Sequence, residues 1–312
     1  MSERDNRVLL RKAEMAVSDL TGGGLLVAEQ ADKFIVQAIN QAVMLPMVNF
    51  HGMDAPSAEY PKLRFSSRVL HAGSENTPLP RDSWAKPALD QVALNVKKFK
   101  SEIRLSTETL EDQIEKGNFQ QTLMTALTGA ISRDMEHIAI NGDTLSADPD
   151  LAQMDGWLKL ASTNLVNVGG GTLTKLVCKN MLKQLEPAFR KNRNFKFFTH
   201  MDARADFKDS LSDRQTSLGD AMLIVAENDD NLSYNGRKIV EVDEFPEAAG
   251  TGYTQCLGAD PMGLHMGVYR KIRLQVGEDL SSDTVIIVAN VRFAVAIEEE
   301  AAVSKAYNIA IS

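Results

Sequence analysis

The chain has 312 residues, 44% hydrophobic and 24% charged, which is ordinary for a globular protein of about two domains. A net charge of −8 and a pI near 5.3 argue against a sequence-reading nucleic-acid binder, which carries a basic stripe. No apolar run of about 18 residues marks a membrane span, and no apolar stretch follows the polar start Met1–Asp5 to mark a secretory signal. The two cysteines, Cys178 and Cys256, form no Cys-x-x-Cys pair and read as reduced core thiols.

Met1 to Leu20 reads as a short amphipathic helix with Val8, Leu9, Lys12, Ala16 and Leu20 near one stripe. The triplet Gly22-Gly23-Gly24 breaks it as a hinge. No Gly-Lys-Ser/Thr follows, so a phosphate-cradling loop has no support. Leu25 to Val43 is a second helical pattern, through Phe34, Ile35, Ala38, Ile39 and Ala42, and Pro46 ends it. Tyr60 to Phe65 starts an extended segment, and His71 to Pro87 is rich in turn residues around a lone Trp84.

Gln91 to Gly142 organises the rest. A strand begins at Val92, Leu94 and Val96 with apolar residues at every second position. Its phase slips at Lys97-Lys98, as at a bulge or a sharp twist, and resumes at Phe99, Ile103 and Leu105. Together with the segment from Tyr60 it makes a long basic hairpin. A two-stranded ribbon is marginal in water by itself, so another surface must support it. An acidic turn follows, and then a helix from an Asn118 N-cap with Gln121 completing a capping box. Its stripe runs Phe119, Leu123, Leu127, Ile131, Met135, Ile138, and Gly142 is placed as the C′ residue. At 1.5 Å per residue this helix is roughly 36 Å long.

Beyond it, Asp143 to Asp155 is an acidic loop and a strand is expected from Gly156-Trp157-Leu158. Asn164 to Gly171 reads as the entry to another domain. Thr172 or Thr174 caps a helix carrying Leu173, Val177, Met181, Leu185 and Ala188. Phe195 to His200 is a buried strand, Asp202 to Leu211 a helix, and Leu218 to Ala226 includes an apolar run. Asn235-Gly236 is a hairpin turn, and Gly250 to Gly252 lies in a loop. Alternating positions then mark strands at Leu264–Val268, Ile272–Val276 and Val291–Ile297, with a continuously apolar run at Val285–Val288, before the acidic run Glu298 to Glu300.

The segment Phe99 to Asp112, followed by the helix ending Ile140-Asn141-Gly142-Asp143, resembles the major capsid proteins of tailed bacteriophages, with their Hong Kong 97-type fold. The resemblance covers nearly the whole chain. It implies an α+β architecture: an N-terminal arm (1–55), an E-loop hairpin (56–105), a P-domain with a long spine helix (106–171), an A-domain (172–263), and return strands into the P-domain (264–312). The implied protein is a structural subunit of the virion. It assembles in the host cytoplasm into hexamers and pentamers that close an icosahedral shell around double-stranded DNA, without sequence-specific binding. The short N-terminus implies a separate scaffolding protein. A portal and possibly a decoration protein are further implied partners. The alternatives are an encapsulin-type nanocompartment shell and a soluble α+β enzyme.

No enzymatic chemistry emerges. Asp134-x-x-His137 has metal-ligand spacing, but a two-metal carboxylate site needs such a motif on each of two helices, so it reads as a solvated helix face. His200-Met201-Asp202 reads as a turn. No Gly-x-Ser-x-Gly elbow anchors a triad, and the adjacent Glu111 and Asp112 point in different directions on a helix. We therefore expect no catalytic, cofactor or metal residues. Some members of the resembled family join an E-loop Lys to an Asn of the P-domain. Lys86 lies in the hairpin, but no Asn here matches as its partner. Charge is instead the informative feature. Residues 60–104 carry nine Lys/Arg and four Asp/Glu, a balance of +5, whereas 105–170 carry three and ten, a balance of −7. Such segments can neutralise each other within a subunit or meet between subunits and set register. The expected assembly-interface residues are Arg64, Arg68, Trp84, Lys86, Lys97, Lys98 and Lys100 on the hairpin, and Glu108, Glu111 and Asp112 beyond it. Trp84 is either locally packed or an interface anchor.

Overall fold

The computed structural model describes residues 42–64, 69–73, 75–76, 78–84, 88–106, 119–212, 232–246, 252–269, 273–279 and 281–311. The two N-terminal helical patterns before residue 42, the acidic turn and the apolar run 218–226 lie outside them.

The long helix, α1 (Phe119–Asn141), runs close to its expected limits. Leu127, Ile131, Met135, Ala139 and Ile140 are buried along it, and Ile138 packs against the same core. That core lies on one face of a five-stranded sheet. β12 (Thr284–Ile297) is its centre. β4 (Lys97–Ser106) pairs antiparallel along one edge of β12. β10 (Leu264–Tyr269) and β11 (Arg273–Asp279) run end to end along the other, with register shifting from Leu264↔Ile297 to Arg273↔Asn290. β1 (Asn49–Met53) adds in parallel to β10. The two strands expected over 285–297 are one. Val285, Ile287, Ala289, Val291 and Phe293 face the core throughout, so nothing in the alternation breaks it.

The return strand expected over Gln91–Leu105 is two strands. β2 (Ser57–Arg64) and β3 (Ala88–Asn95) form a separate antiparallel ribbon, and β4 belongs to the large sheet. The phase slip at Lys97-Lys98 marks this change of partner.

A second, six-stranded sheet runs β5 (Leu165–Asn167), β13 (Ser304–Ala310), β9 (Tyr253–Ala259), β6 (Lys196–Thr199), β8 (Arg237–Glu241), β7 (Ser233–Tyr234). Helices α3 (Lys175–Gln184) and α4 (Met201–Ser212) belong with it, and Leu173, Val177, Met181, Leu185, Phe195, Phe197 and Phe207 build its core. Thr174 holds the N-cap position of α3 with extended backbone, but its side chain makes no cap bond. The Asn235-Gly236 turn is left-handed at both residues (φ 53° and 74°), as a type I′ hairpin turn requires. The free thiols Cys178 and Cys256 are buried here. Burial pushes Cys178 up to about 12 and Cys256 well above its usual value, so both stay protonated. The segment 264–312 divides between the sheets: 264–297 lies in the first, while 304–310 pairs with β9 and β5 in the second.

Two local expectations change at the end of α1. Residues Trp157–Leu160 form a helical turn, α2, not a strand, because Trp157 is drawn wholly into the main core and Lys159 and Leu160 donate to the Gly156 carbonyl. Gly142 is not left-handed. A Cβ there would lie 2.4 Å from the Met154 carbonyl oxygen, and one at Gly156 would lie 2.7 Å from Gly142 N and Ile140 O. These glycines let two backbone segments touch, with Gly156 N–H donating to Gly142 O at 2.8 Å.

Candidate assembly surfaces

Among the described residues, the β2–β3 ribbon buries apolar side chains at one end only. At its root Val92 and Leu94 are buried with Met53, Tyr269, Ala294 and Ala296. Farther out, Leu63 and Leu89 face each other across the ladder and are 62% and 76% exposed. At the tip Val69, Leu70, Leu79 and Trp84 are also exposed. Single exposed leucines are unremarkable, but an apolar cross-strand pair leading to an apolar tip is a patch that asks for cover. Trp84 shares both expected characters. Its Nε1–H donates to the Leu79 carbonyl at 3.3 Å and the Arg81 guanidinium lies 5.9 Å from its ring, yet the side chain stays more than half exposed.

On β4, Phe99 and Ile103 pack against the core, so Lys98, Lys100, Glu102 and Arg104 point outward. Glu102 is clasped from both sides, at 2.6 Å by Lys100 and 2.8 Å by Arg104, and the Lys100 contact leads in holding its carboxyl below the usual range. Lys97 and Lys98 are exposed and have no ion pair among the described residues. Lys98 and Lys100 line one side of a hollow of about 590 Å³, and Asp134, Asp148 and Asp150 line the other. The oppositely charged segments thus adjoin within one subunit. The structure brings Lys97, Lys98 and Lys100 together on β4. It places Trp84 at the ribbon tip and the backbone of Arg64 in β2. The Arg64 side chain and residues Arg68, Lys86, Glu108, Glu111 and Asp112 lie outside what is described.

Nor does Asp134-x-x-His137 gather ligands: His137 Nδ1 contacts Glu244 Oε2 at 2.9 Å, and no metal-binding cluster of His, Cys, Asp or Glu occurs among the described residues. His200 and Asp202 sit at the turn from β6 into α4, 3.4 Å apart.

The sequence reading counted Glu136 only as negative charge, yet it is 4% exposed. Its Oε1 accepts the amides of Met44 and of Leu45 (3.3 Å), and its Oε2 accepts that of Val43 (3.2 Å). It therefore pins to α1 the chain that leads into β1. Burial raises its pKa, against the pull of the three amides. The available signal was a carboxylate directly beside the stripe residue Met135. Glu136→Ala leaves at least two amides without an acceptor in a buried place. We expect a loss of about 2–3 kcal/mol, read from urea unfolding of the unassembled subunit.

The Phage capsid family matches residues 22–307. The chain is 32% identical to "Putative prophage capsid protein YqbE" of Bacillus subtilis (strain 168) over 96% of its own length and 97% of that protein's. The chain belongs to the phage capsid family. Among solved structures, a chain of the satellite phage P4 procapsid with its size-determination protein superposes with a TM-score of 0.69 at 14% identity, covering 100% of this chain and 99% of that one. The capsid of a native GTA particle gives 0.64 at 15% identity over 88% and 91%. The SrpI encapsulin complex of Synechococcus elongatus PCC 7942 gives 0.60 at 11% identity over 86% and 88%. The fold is the Hong Kong 97-type α+β capsid fold, and this capsid protein is a structural subunit of a phage head shell.

Proposed function

We propose that many copies of this subunit assemble into hexamers and pentamers that tile a closed icosahedral shell around double-stranded DNA. The exposed ribbon carries this reading: among the described residues, nothing covers Leu63, Leu89 and the apolar tip of its outer half. In the proposed assembly the ribbon is the E-loop and lies on a neighbour. Residues 106–171 with strands 264–297 form the P-domain around the spine helix α1. Residues 172–263 with β13 form the A-domain at the symmetry axes, and residues 1–55 form an arm. A separate scaffolding protein, a portal and possibly a decoration protein complete the head, which forms in the host cytoplasm. The role is structural, without catalysis. An encapsulin shell shares the fold, but the family match and the prophage relative favour the phage reading.

Lys97 and Lys98, free of ion pairs among the described residues, are proposed to meet acidic residues of an adjacent spine region along with Lys100. Exposed pairs contribute roughly 0–1 kcal/mol each, so their effect lies in repetition and geometry. Electron microscopy of the protein, alone and with a candidate scaffold, should show closed shells. Lys97→Glu, Lys98→Glu and Lys100→Glu together should prevent closure or change the diameter. Unchanged shells from the triple variant would refute the charge contact, and a uniform monomer of the native chain at high concentration would refute the assembly reading itself.

A further inference from the structure

Two imidazoles meet at the root of the ribbon. β1 and β10 pair in parallel with Asn49 opposite His265 and His51 opposite Gly267, so His51 and His265 are diagonal neighbours. Their rings lie edge to edge, nearly coplanar, with centroids 4.8 Å apart and planes within 3°, and His51 Nε2 lies 2.6 Å from His265 Nδ1. Tyr60 of β2 covers His51, its ring 4.3 Å away. On the far side His265 Nε2 is 3.5 Å from Glu298 Oε2, just past the end of β12. Lys62 of β2 donates to the Glu298 carbonyl at 2.7 Å and pairs with Glu299 at 3.3 Å and with Asp90 of β3 at 3.2 Å. The charged groups around the imidazoles are thus Lys62, Asp90, Glu298 and Glu299. Beneath them Gly267 is pressed by Met53 and Leu94, so the strands here have little room to slide.

A nitrogen–nitrogen contact of 2.6 Å holds one proton between its two atoms. With His265 Nε2–H turned to Glu298, His265 Nδ1 is the acceptor and His51 Nε2–H the donor. A first proton can enter at His51 Nδ1 and leave that bond intact. A second must enter at His265 Nδ1, where it sets N–H against N–H and brings two cations edge to edge, one of them on a ring that is 6% exposed. We propose that the His51–His265 pair is a proton-operated catch that holds β1, on whose His51 the ribbon's Tyr60 rests, to β10 and releases it when both rings are protonated.

Burial lowers the pKa of His51 below its ordinary 6.5, and His265 lowers it further. Folded His51 therefore binds a proton less readily than it does in the unfolded chain. The stability that neutral His51 contributes is therefore fully present above pH about 6.5 and is lost as pH falls through its lowered value, while the catch itself opens only with the second proton.

The test reads the ribbon in the unassembled subunit, so its outcome does not depend on shell formation. Hydrogen exchange of residues 57–64 and 88–95, corrected for intrinsic rates, should show protection falling on the order of tenfold between pH 7.5 and 5. The second sheet should show no such fall. His51→Gln and His265→Gln should each flatten that response. A native ribbon whose protection ignores pH, or variants that respond as the native chain does, would overturn the proposal. Histidine-labelled NMR of the native subunit is an independent check that needs no variant. Protection should be lost only once both imidazole signals report the protonated form. Loss of protection while one ring is still neutral would also overturn the proposal.

Discussion

Leu63→Asp combined with Leu89→Asp is expected to abolish shell formation while leaving the subunit folded. The two leucines are direct cross-strand partners on β2 and β3, 62% and 76% exposed, outside every core cluster. In the free subunit the new carboxylates stay in water. The cost there is the mild repulsion of like charges facing across a ladder, a few tenths of a kcal/mol. Against a neighbour the account differs. Covering each leucine contributes roughly 1.5–3 kcal/mol, and a carboxylate in its place must be desolvated without a partner, at several kcal/mol each. Every ribbon carries both changes, so the deficit recurs at each contact in the shell. Sedimentation and electron microscopy should find a folded, unassembled protein with native circular dichroism. Normal shells from this variant would show that the ribbon face is not an assembly contact. Leu63→Asn with Leu89→Asn, which removes the apolar area but adds no charge, should give an intermediate deficit.

The features that could be read from sequence were those where one local pattern decides the structure. The apolar spacing Leu127, Ile131, Met135 determined both the helix and its buried face. Asn235-Gly236 determined a turn, because both residues tolerate positive φ. What stayed hidden was set by distant partners. The slip at Lys97-Lys98 was visible as a break in alternation, but only the pairing of β4 with β12, some 190 residues downstream, shows that the chain changes sheets there. Gly142 looked like a helix stop, whereas its lack of a side chain serves contact with Met154 and Gly156. The family resemblance implied that 264–312 returns to the first sheet, yet the partners of β13, β9 and β5, lie in the second. Charge showed the same limit. The +5 and −7 balances were countable, but Glu136 is not part of any charged surface: it is buried on three amides of the incoming chain. His51 and His265 are 214 residues apart, and nothing in either neighbourhood announces the other.

The two tryptophans should respond oppositely to truncation, and this contrast gives the second large effect. Trp157→Ala is expected to cost about 3–5 kcal/mol, whereas Trp84→Ala should stay within about 0.5 kcal/mol for the unassembled subunit. Trp157 is 0% exposed and sits in the main core with Leu158, Ile140 and Leu264, at the end of α1 where Gly142 and Gly156 bring the backbones together. Its Nε1–H donates to the Ala296 carbonyl at 3.3 Å, tying the turn α2 to the last residues of β12. Alanine would leave a void the size of an indole between segments already in backbone contact, so collapse around it is restricted. Trp157→Phe keeps most of the volume but leaves the Ala296 carbonyl without its donor, and should cost less, about 1–2 kcal/mol. Urea unfolding followed by circular dichroism gives all three values. A Trp157→Ala subunit less than about 1 kcal/mol below native would mean that the core yields at this junction. A matching loss at Trp84 would mean that the ribbon tip packs on its own subunit, which would remove the tip from the proposed contact with a neighbour.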